Sequence, residues 1–223
     1  MKLNKLKIFQ VSVDGSASSG KSTGAKLISK KYGLSFLSSG LLYRYASYRI
    51  LKDKPKNQIY FLKKIFKNLN YKNLNKIDLH NATISENTSK IARIKKIRDI
   101  LKIYQVNFSK KNKRCCIEGR DISTKILPNS DVKFYFTCEL NKAAKRRFKE
   151  LKKKDKLIKL EEVKKSLKVR NLTDKKRKHS PLLKHTDALE IDTGKLDIPG
   201  MVRKMSLAIN KKIKFKYGNW TRN

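Results

Sequence analysis

Gly15-Ser16-Ala17-Ser18-Ser19-Gly20-Lys21-Ser22 lies between the apolar run Ile8–Val13 and a helical pattern from Thr23 to Tyr32 that Gly33 closes. It fits G-x-x-x-x-G-K-[ST] with every fixed position filled. Gly15 and Gly20 permit backbone angles that turn successive N–H groups inward around phosphate oxygens. The helix that follows points its positive end at the same anion. Lys21 supplies a point charge for β- and γ-phosphates, and the Ser22 hydroxyl is placed to ligate Mg²⁺. Gly, Ser and Lys also co-occur by chance in loops. A strand before the motif and a helix after it are the context that separates the two readings.

Outward from this loop, Leu34–Leu37 reads as a second strand and Leu41 to about Leu51 as a helix. That completes a βαβ unit and implies a parallel sheet. The Asn- and Lys-rich stretch from Asp53 to about Ser85 has weak periodicity and reads as an inserted lobe. Thr88–Phe108 reads as one helix, Cys115–Ile117 and Val132–Phe136 as buried strands, and Asn141–Lys178 as helical throughout. Leu189–Ile191 is a last strand, followed by a helix from Pro199 to Phe215.

The chain has 223 residues, of which 39% are hydrophobic and 34% charged. That is enough for one folded domain with inserted lobes. No apolar run approaches the ~20 residues of a membrane span. The start, Met1–Val13, does not read as a signal peptide, because Asp14 and Gly15 interrupt it without a cleavage-like site. Cys115, Cys116 and Cys138 lack disulfide or zinc-ligand spacing, and a reducing cytoplasm is the expectation. The net charge is +39, carried by 45 Lys and 12 Arg against 18 acidic residues. A lysine excess beside abundant Asn and Ile fits A+T-rich coding. It also attracts polyanions, so charge alone leaves nucleic-acid binding open.

The sparse arginines carry more information. The chain is short for a motor or a translation-type GTPase, so a small-molecule kinase is the leading class. If its acceptor is a nucleotide, the acceptor phosphate must be clamped, and the guanidinium fork does this in pairs. Tyr43-Arg44 stands just past the second strand. Arg120-Asp121 follows the third strand, on the carboxyl edge where parallel sheets bind ligands. Arg170, Asp174 and Arg177 fall at i, i+4 and i+7, on one helical face. The competing readings are a helix cap, an ordinary turn and a surface salt-bridge face.

Together these segments resemble the bacterial cytidylate kinases. The resemblance is carried by Val13-Asp14-Gly15 with the loop, Phe36 through Arg44, Glu118-Gly119-Arg120-Asp121-Ile122-Ser123-Thr124, and Arg170 through Leu189. It covers nearly the whole chain except about 52–79. It implies an α/β P-loop kinase with a five-stranded parallel sheet flanked by helices. Within one domain, 1–223, residues 1–40, 109–140 and 179–223 would form the core. Residues 41–108 would form a monophosphate-binding lobe and 141–178 a helical lid. The implied reaction is direct in-line transfer from ATP to CMP and dCMP, with Mg²⁺, in pyrimidine nucleotide metabolism.

By the same resemblance, Gly15, Ser16, Ala17, Ser18, Ser19, Gly20, Lys21, Ser22 and Thr23 would bind ATP, with Ser22 on the metal. Ser39, Tyr43, Arg44, Ser89, Arg98, Arg120, Asp121, Arg170, Asp174 and Arg177 would bind CMP. Within that set, Arg44, Arg120 and Arg177 would take the phosphate, Arg170 and Asp174 the ribose hydroxyls, and Ser89, Arg98 and Asp121 the cytosine edge. Lys21, Arg120, Arg170 and Arg177 would carry the catalytic charge. A cytosine edge offers an amino donor and two acceptors, which a carboxylate and an arginine complement and uracil would not.

Ser16 and Ser18 replace a usual Pro and Gly, Ser38 a usual Asp, and His80 and Thr173 frequent arginines. Lys95-Lys96 replaces an apolar–Pro break. In an unbroken helix Ser89 and Arg98, nine residues apart, would face opposite ways. The expected protein is a cytoplasmic monomer that uses small nucleotides, with no membrane or specific nucleic-acid partner. The alternatives are another P-loop kinase, acting on UMP, shikimate or dephospho-coenzyme A, and a basic nucleic-acid-binding ATPase.

Overall fold

The computed structural model describes residues 8–153 and 156–218. Five strands, β1 (Phe9–Gly15), β2 (Ser35–Ser38), β3 (Arg114–Gly119), β4 (Val132–Thr137) and β5 (Leu189–Asp192), form one parallel sheet in the order β2-β3-β1-β4-β5. The α/β architecture is therefore as the sequence implied. β1 lies between β3 and β4, opposing Asp14 to Gly119 on one side and to Tyr135 on the other. Strand order reverses at β1, so the crevice beyond its carboxyl end is where an open α/β sheet takes a ligand.

Two compact units make up the described chain, one from residues up to Leu37 together with Lys111 onward, the other from Ser38–Lys110. In the first, helix α1 (Lys21–Tyr32) and the last helix, α8 (Ile198–Tyr217), cover the sheet. Val11, Val13, Phe134 and Phe136 pack with Ile28 of α1 and with Met201, Met205 and Ile209 of α8, all buried. Each such side chain contributes about 1.5–3 kcal/mol. Helices α6 (Leu140–Lys152) and α7 (Leu160–Lys176) pack through Ala143, Ala144, Val163 and Leu167 around Ala17 of the loop after β1. The helical stretch expected over 141–178 is thus two helices. Lys154 and Asp155, within that stretch, lie outside the described residues, as does the opening segment 1–7.

The second unit contains α2 (Ser39–Asp53), α3 (Gln58–Lys67), α4 (Ala82–Ile91) and α5 (Lys95–Lys111), with a 3₁₀ turn at Tyr71–Lys76. The Asn-rich stretch with weak periodicity, read as an inserted lobe, is largely helical. Asn57, Asn70 and Asn81 are N-caps whose side-chain oxygens accept from Tyr60, Lys72 and Ile84 N–H. Phe66 anchors this unit, meeting Tyr45 and Tyr104 edge-on at centroid separations of 6.0 and 5.8 Å.

The single helix expected over Thr88–Phe108 is broken. Arg93 N–H and Ile94 N–H turn back to Lys90 and Ile91 in 3₁₀ fashion, and α5 starts one residue later. Arg98 Nη1 donates to the Ala92 carbonyl at 3.1 Å, satisfying an acceptor at the end of α4. No proline is needed for the break.

Candidate active site

The loop after β1 has the shape its residue types require. A Cβ at Gly15 would stand 2.4 Å from the Phe136 carbonyl oxygen, so only glycine lets β1 end against β4. Gly20 caps α1 in the left-handed region at φ 78°. Ser18, where the resembling family has Gly, also holds a left-handed φ of 56°. That conformation costs a residue with a Cβ about 1–2 kcal/mol.

Lys21 is 7% exposed. Its Nζ donates to the Ser16 carbonyl at 3.3 Å and stands 3.9 Å from Glu118 Oε2. Burial, and then the Arg120 charge, bring its pKa down to about 7, although Glu118 opposes the shift. Ser22, on the first turn of α1, is half-buried, and Thr23 is exposed. Among the described residues no group of three or more His, Cys, Asp or Glu could hold a metal ion. A divalent cation here would draw on the Ser22 hydroxyl, with phosphate oxygens and water completing its shell, a donor set that suits Mg²⁺.

A second cationic cluster lies in the same unit. Arg120 Nε donates to Asp174 Oδ2 at 2.8 Å, and its Nη1 to the Gly119 carbonyl at 3.2 Å. Arg177 Nη1 lies 3.4 Å from Asp174 Oδ1, and its Nη2 lies 3.8 Å from Asp121 Oδ1. Burial alone would raise the Asp174 pKa, yet Arg120, Arg170 and Arg177 hold it below the usual carboxylate value. Burial and Arg120 lower Arg170 to about 10. The i, i+4, i+7 face is only partly helical. Arg170 and Asp174 lie on α7, but Arg177 has left the helix with extended backbone, and its Nε donates to the Ser180 carbonyl at 2.5 Å.

The remaining expected positions lie in the Ser38–Lys110 unit. Ser38 caps α2, its side chain accepting from Leu41 N–H, and Ser39 is buried on the first turn. Arg44, buried, donates through Nη1 to the Leu79 carbonyl and Ser85 Oγ at 2.9 and 2.8 Å. Arg98 stacks over the Tyr43 ring at 5.4 Å. Ser89 lies on the last turn of α4, and Arg98 reaches the carbonyl that ends that helix.

Three residues that sequence reasoning missed brace the phosphate loop. Asn171 Oδ1 on α7 accepts from Ala17 N–H at 3.0 Å. Arg146 Nη1 donates to Thr193 Oγ1 at 2.9 Å, and Thr193 Oγ1 donates to the Ser19 carbonyl at 2.9 Å. The scarcity of arginine among lysines is the one signal in the sequence that bears on Arg146, and it does not separate Arg146 from its neighbour Arg147. Asn171 and Thr193 left none, being common polar residues far from the loop in sequence.

The profile of the cytidylate kinase family matches residues 11–211. The cytidylate kinase of Fusobacterium nucleatum subsp. nucleatum is 37% identical over 212 residues, covering 90% of this chain and 97% of its own. That of Rickettsia africae is 36% identical over 206 residues, covering 92% and 93%. Among solved structures, an uncharacterized protein from Eubacterium ventriosum superposes with a TM-score of 0.52 at 16% identity, covering 91% of this chain and 98% of its own. At that identity the likeness concerns the fold alone.

Proposed function

Because this chain belongs to the cytidylate kinase family and is a phosphotransferase, we propose that it moves the γ-phosphoryl group of ATP directly onto a phosphate oxygen of CMP or dCMP. The acceptor oxygen forms a bond to the γ-phosphorus as the bond to the bridging oxygen of ADP breaks. The electron pair leaves with ADP. No covalent intermediate with the protein is needed, because positioning and charge stabilisation dominate such a transfer.

The observation that carries this reading is electrostatic. Lys21 is buried and Arg170 half-buried, and the charged forms of both are disfavoured by desolvation and by Arg120, a condition that phosphate oxygens relieve. Gly15 to Thr23 hold the triphosphate, and Ser22 helps hold Mg²⁺, which screens the phosphate charge when bound. Arg120 and Arg177 grip the acceptor phosphate, with Arg44 as the third arginine of that task. Arg170 and Asp174 meet the ribose, while Asp121, Ser89 and Arg98 read the cytosine edge, with Ser39 and Tyr43 completing the acceptor's contacts. Residues 41–108 serve as the monophosphate lobe and 141–178 as the lid. Among the described residues no helix is long and apolar enough to cross a membrane. A cytoplasmic monomer without a specific nucleic-acid partner completes the reading.

An ADP-release assay with CMP, dCMP, UMP, AMP, shikimate and dephospho-coenzyme A as acceptors tests it. Turnover with CMP or dCMP at least tenfold above the rest is expected. Preference for another acceptor, or hydrolysis of ATP with none, overturns it.

A further inference from the structure

Asp14, the penultimate residue of β1, is fully buried between β3 and β4. A carboxylate in such a place is costly unless its oxygens are hydrogen-bonded. Those of Asp14 accept three bonds, all from two consecutive residues. Oδ1 accepts from Ile122 N–H at 2.8 Å, and Oδ2 from Ser123 N–H at 2.7 Å and Ser123 Oγ at 2.6 Å. The two amides belong to the start of a π-helical turn, Ile122–Ile126, and would otherwise lack partners there. The residues directly before that turn are Arg120 and Asp121, which face Asp174 and Arg177. The residue directly after Asp14 is Gly15, where the phosphate loop begins.

We infer that Asp14 is a positioning residue for phosphoryl transfer: its carboxylate ties the Arg120–Asp121 loop to the strand end from which the phosphate loop springs, holding the two anion-binding elements in one register. The inference rests on the kinase reading above. Asp14 itself touches no substrate. It acts through Arg120 and Asp121, so its loss falls on the acceptor step rather than on ATP capture. A protonated carboxyl turns one of its oxygens into a donor, so the Ser123 Oγ bond must reverse and the charge-assisted bonds from the Ile122 and Ser123 amides weaken. Burial raises the Asp14 pKa to about 6, opposed by the Ser123 and Ile122 bonds and reinforced by Asp121. Tyr135 on β4 also faces it, while Glu118 on β3 faces Lys21. Acidification through about pH 6 therefore loosens the loop.

Steady-state kinetics of wild type and Asp14→Asn with ATP and CMP provide the test. At pH 8 the variant is expected to lose tenfold or more in kcat/KM for CMP, while KM for ATP stays within twofold. The ratio of wild-type to variant kcat, in which protonation of the nucleotides cancels, is expected to fall as pH drops from 8 to 5. A kcat/KM for CMP within threefold of wild type, or a ratio constant across that range, overturns the inference. If Asp14→Asn fails to fold, Ser123→Ala takes its place. It removes a bond that favours the carboxylate, so the acid limb of kcat is expected to move to higher pH, and an unmoved limb overturns the inference. Absence of CMP turnover in the wild type would instead refute the kinase reading.

Discussion

In the proposed reading, Lys21 is the residue on which donor binding turns. With its pKa brought down to about 7 in the free protein, part of its charge is missing near neutrality. Triphosphate oxygens restore that charge, so ATP binding is expected to take up a proton above pH 7 and to weaken as pH rises. Calorimetry in buffers of different ionisation enthalpy reads this uptake directly. Lys21→Ala should lose the uptake and lower turnover by about 10²–10³-fold while unfolding like the wild type. Near-normal turnover would remove Lys21 from the mechanism. Asp14 links to stability with a definite sign. Its folded pKa lies above its unfolded value of 3.8, so its contribution is fully present below pH 3.8 and is lost as pH rises through about 6. The amplitude is roughly 3 kcal/mol. Denaturant titrations should show the stability of the wild type, relative to Asp14→Asn, rising from pH 7 to pH 4 while its relative activity falls. A purely structural carboxylate would not move the two in opposite directions.

At the scale of elements, the break between α4 and α5 decides what Arg98 can do. Had Thr88–Phe108 remained one helix, Ser89 and Arg98 would face opposite ways. With α4 ending at Ile91, Arg98 folds back onto the Ala92 carbonyl and over Tyr43. Arg98→Met should therefore raise the KM for CMP several-fold more than that for ATP. Equal effects on both would take Arg98 out of base recognition. In the other unit, Asn171 fastens α7 to Ala17 in the loop after β1. Asn171→Ala leaves that amide without its partner, at a cost of about 1–3 kcal/mol. Hydrogen exchange should show α7 amides losing protection while those of β1 keep theirs. Unchanged exchange in α7 would mean that the Ala143, Ala144, Val163 and Leu167 contacts alone seat the helix.

Over the whole molecule the charge of +39 divides by residue type. Lysines on every helix make a diffuse positive field, whereas Arg120, Arg170 and Arg177 gather, half-buried, around buried Asp174. A diffuse field speeds the arrival of anionic nucleotides and is screened by salt. Raising ionic strength from 0.01 to 0.15 M shortens the screening length from about 30 to about 8 Å. It should lower kcat/KM for both nucleotides several-fold while kcat stays nearly constant. Stopped-flow binding of a fluorescent ATP analogue separates the association rate from the rest. A salt-independent association rate would leave the lysine excess without a kinetic role.

What the sequence determined alone was local or periodic. The loop Gly15–Ser22, the apolar strand runs and the placing of Arg120 after a strand are set by neighbours along the chain, and from them the parallel α/β fold and the place of the candidate site followed. The Asn-rich helices of the second unit escaped because their caps dilute a short apolar pattern. Only the tertiary structure decided that Arg177 leaves α7, that Arg98 closes a helix end, and that Asn171, Arg146 and Thr193 brace the loop. It alone brought Asp14 to Ile122 and Ser123, 108 and 109 residues away. Each of these contacts exists because a buried polar group must find a partner wherever the packed chain supplies one, and sequence spacing carries no record of that search.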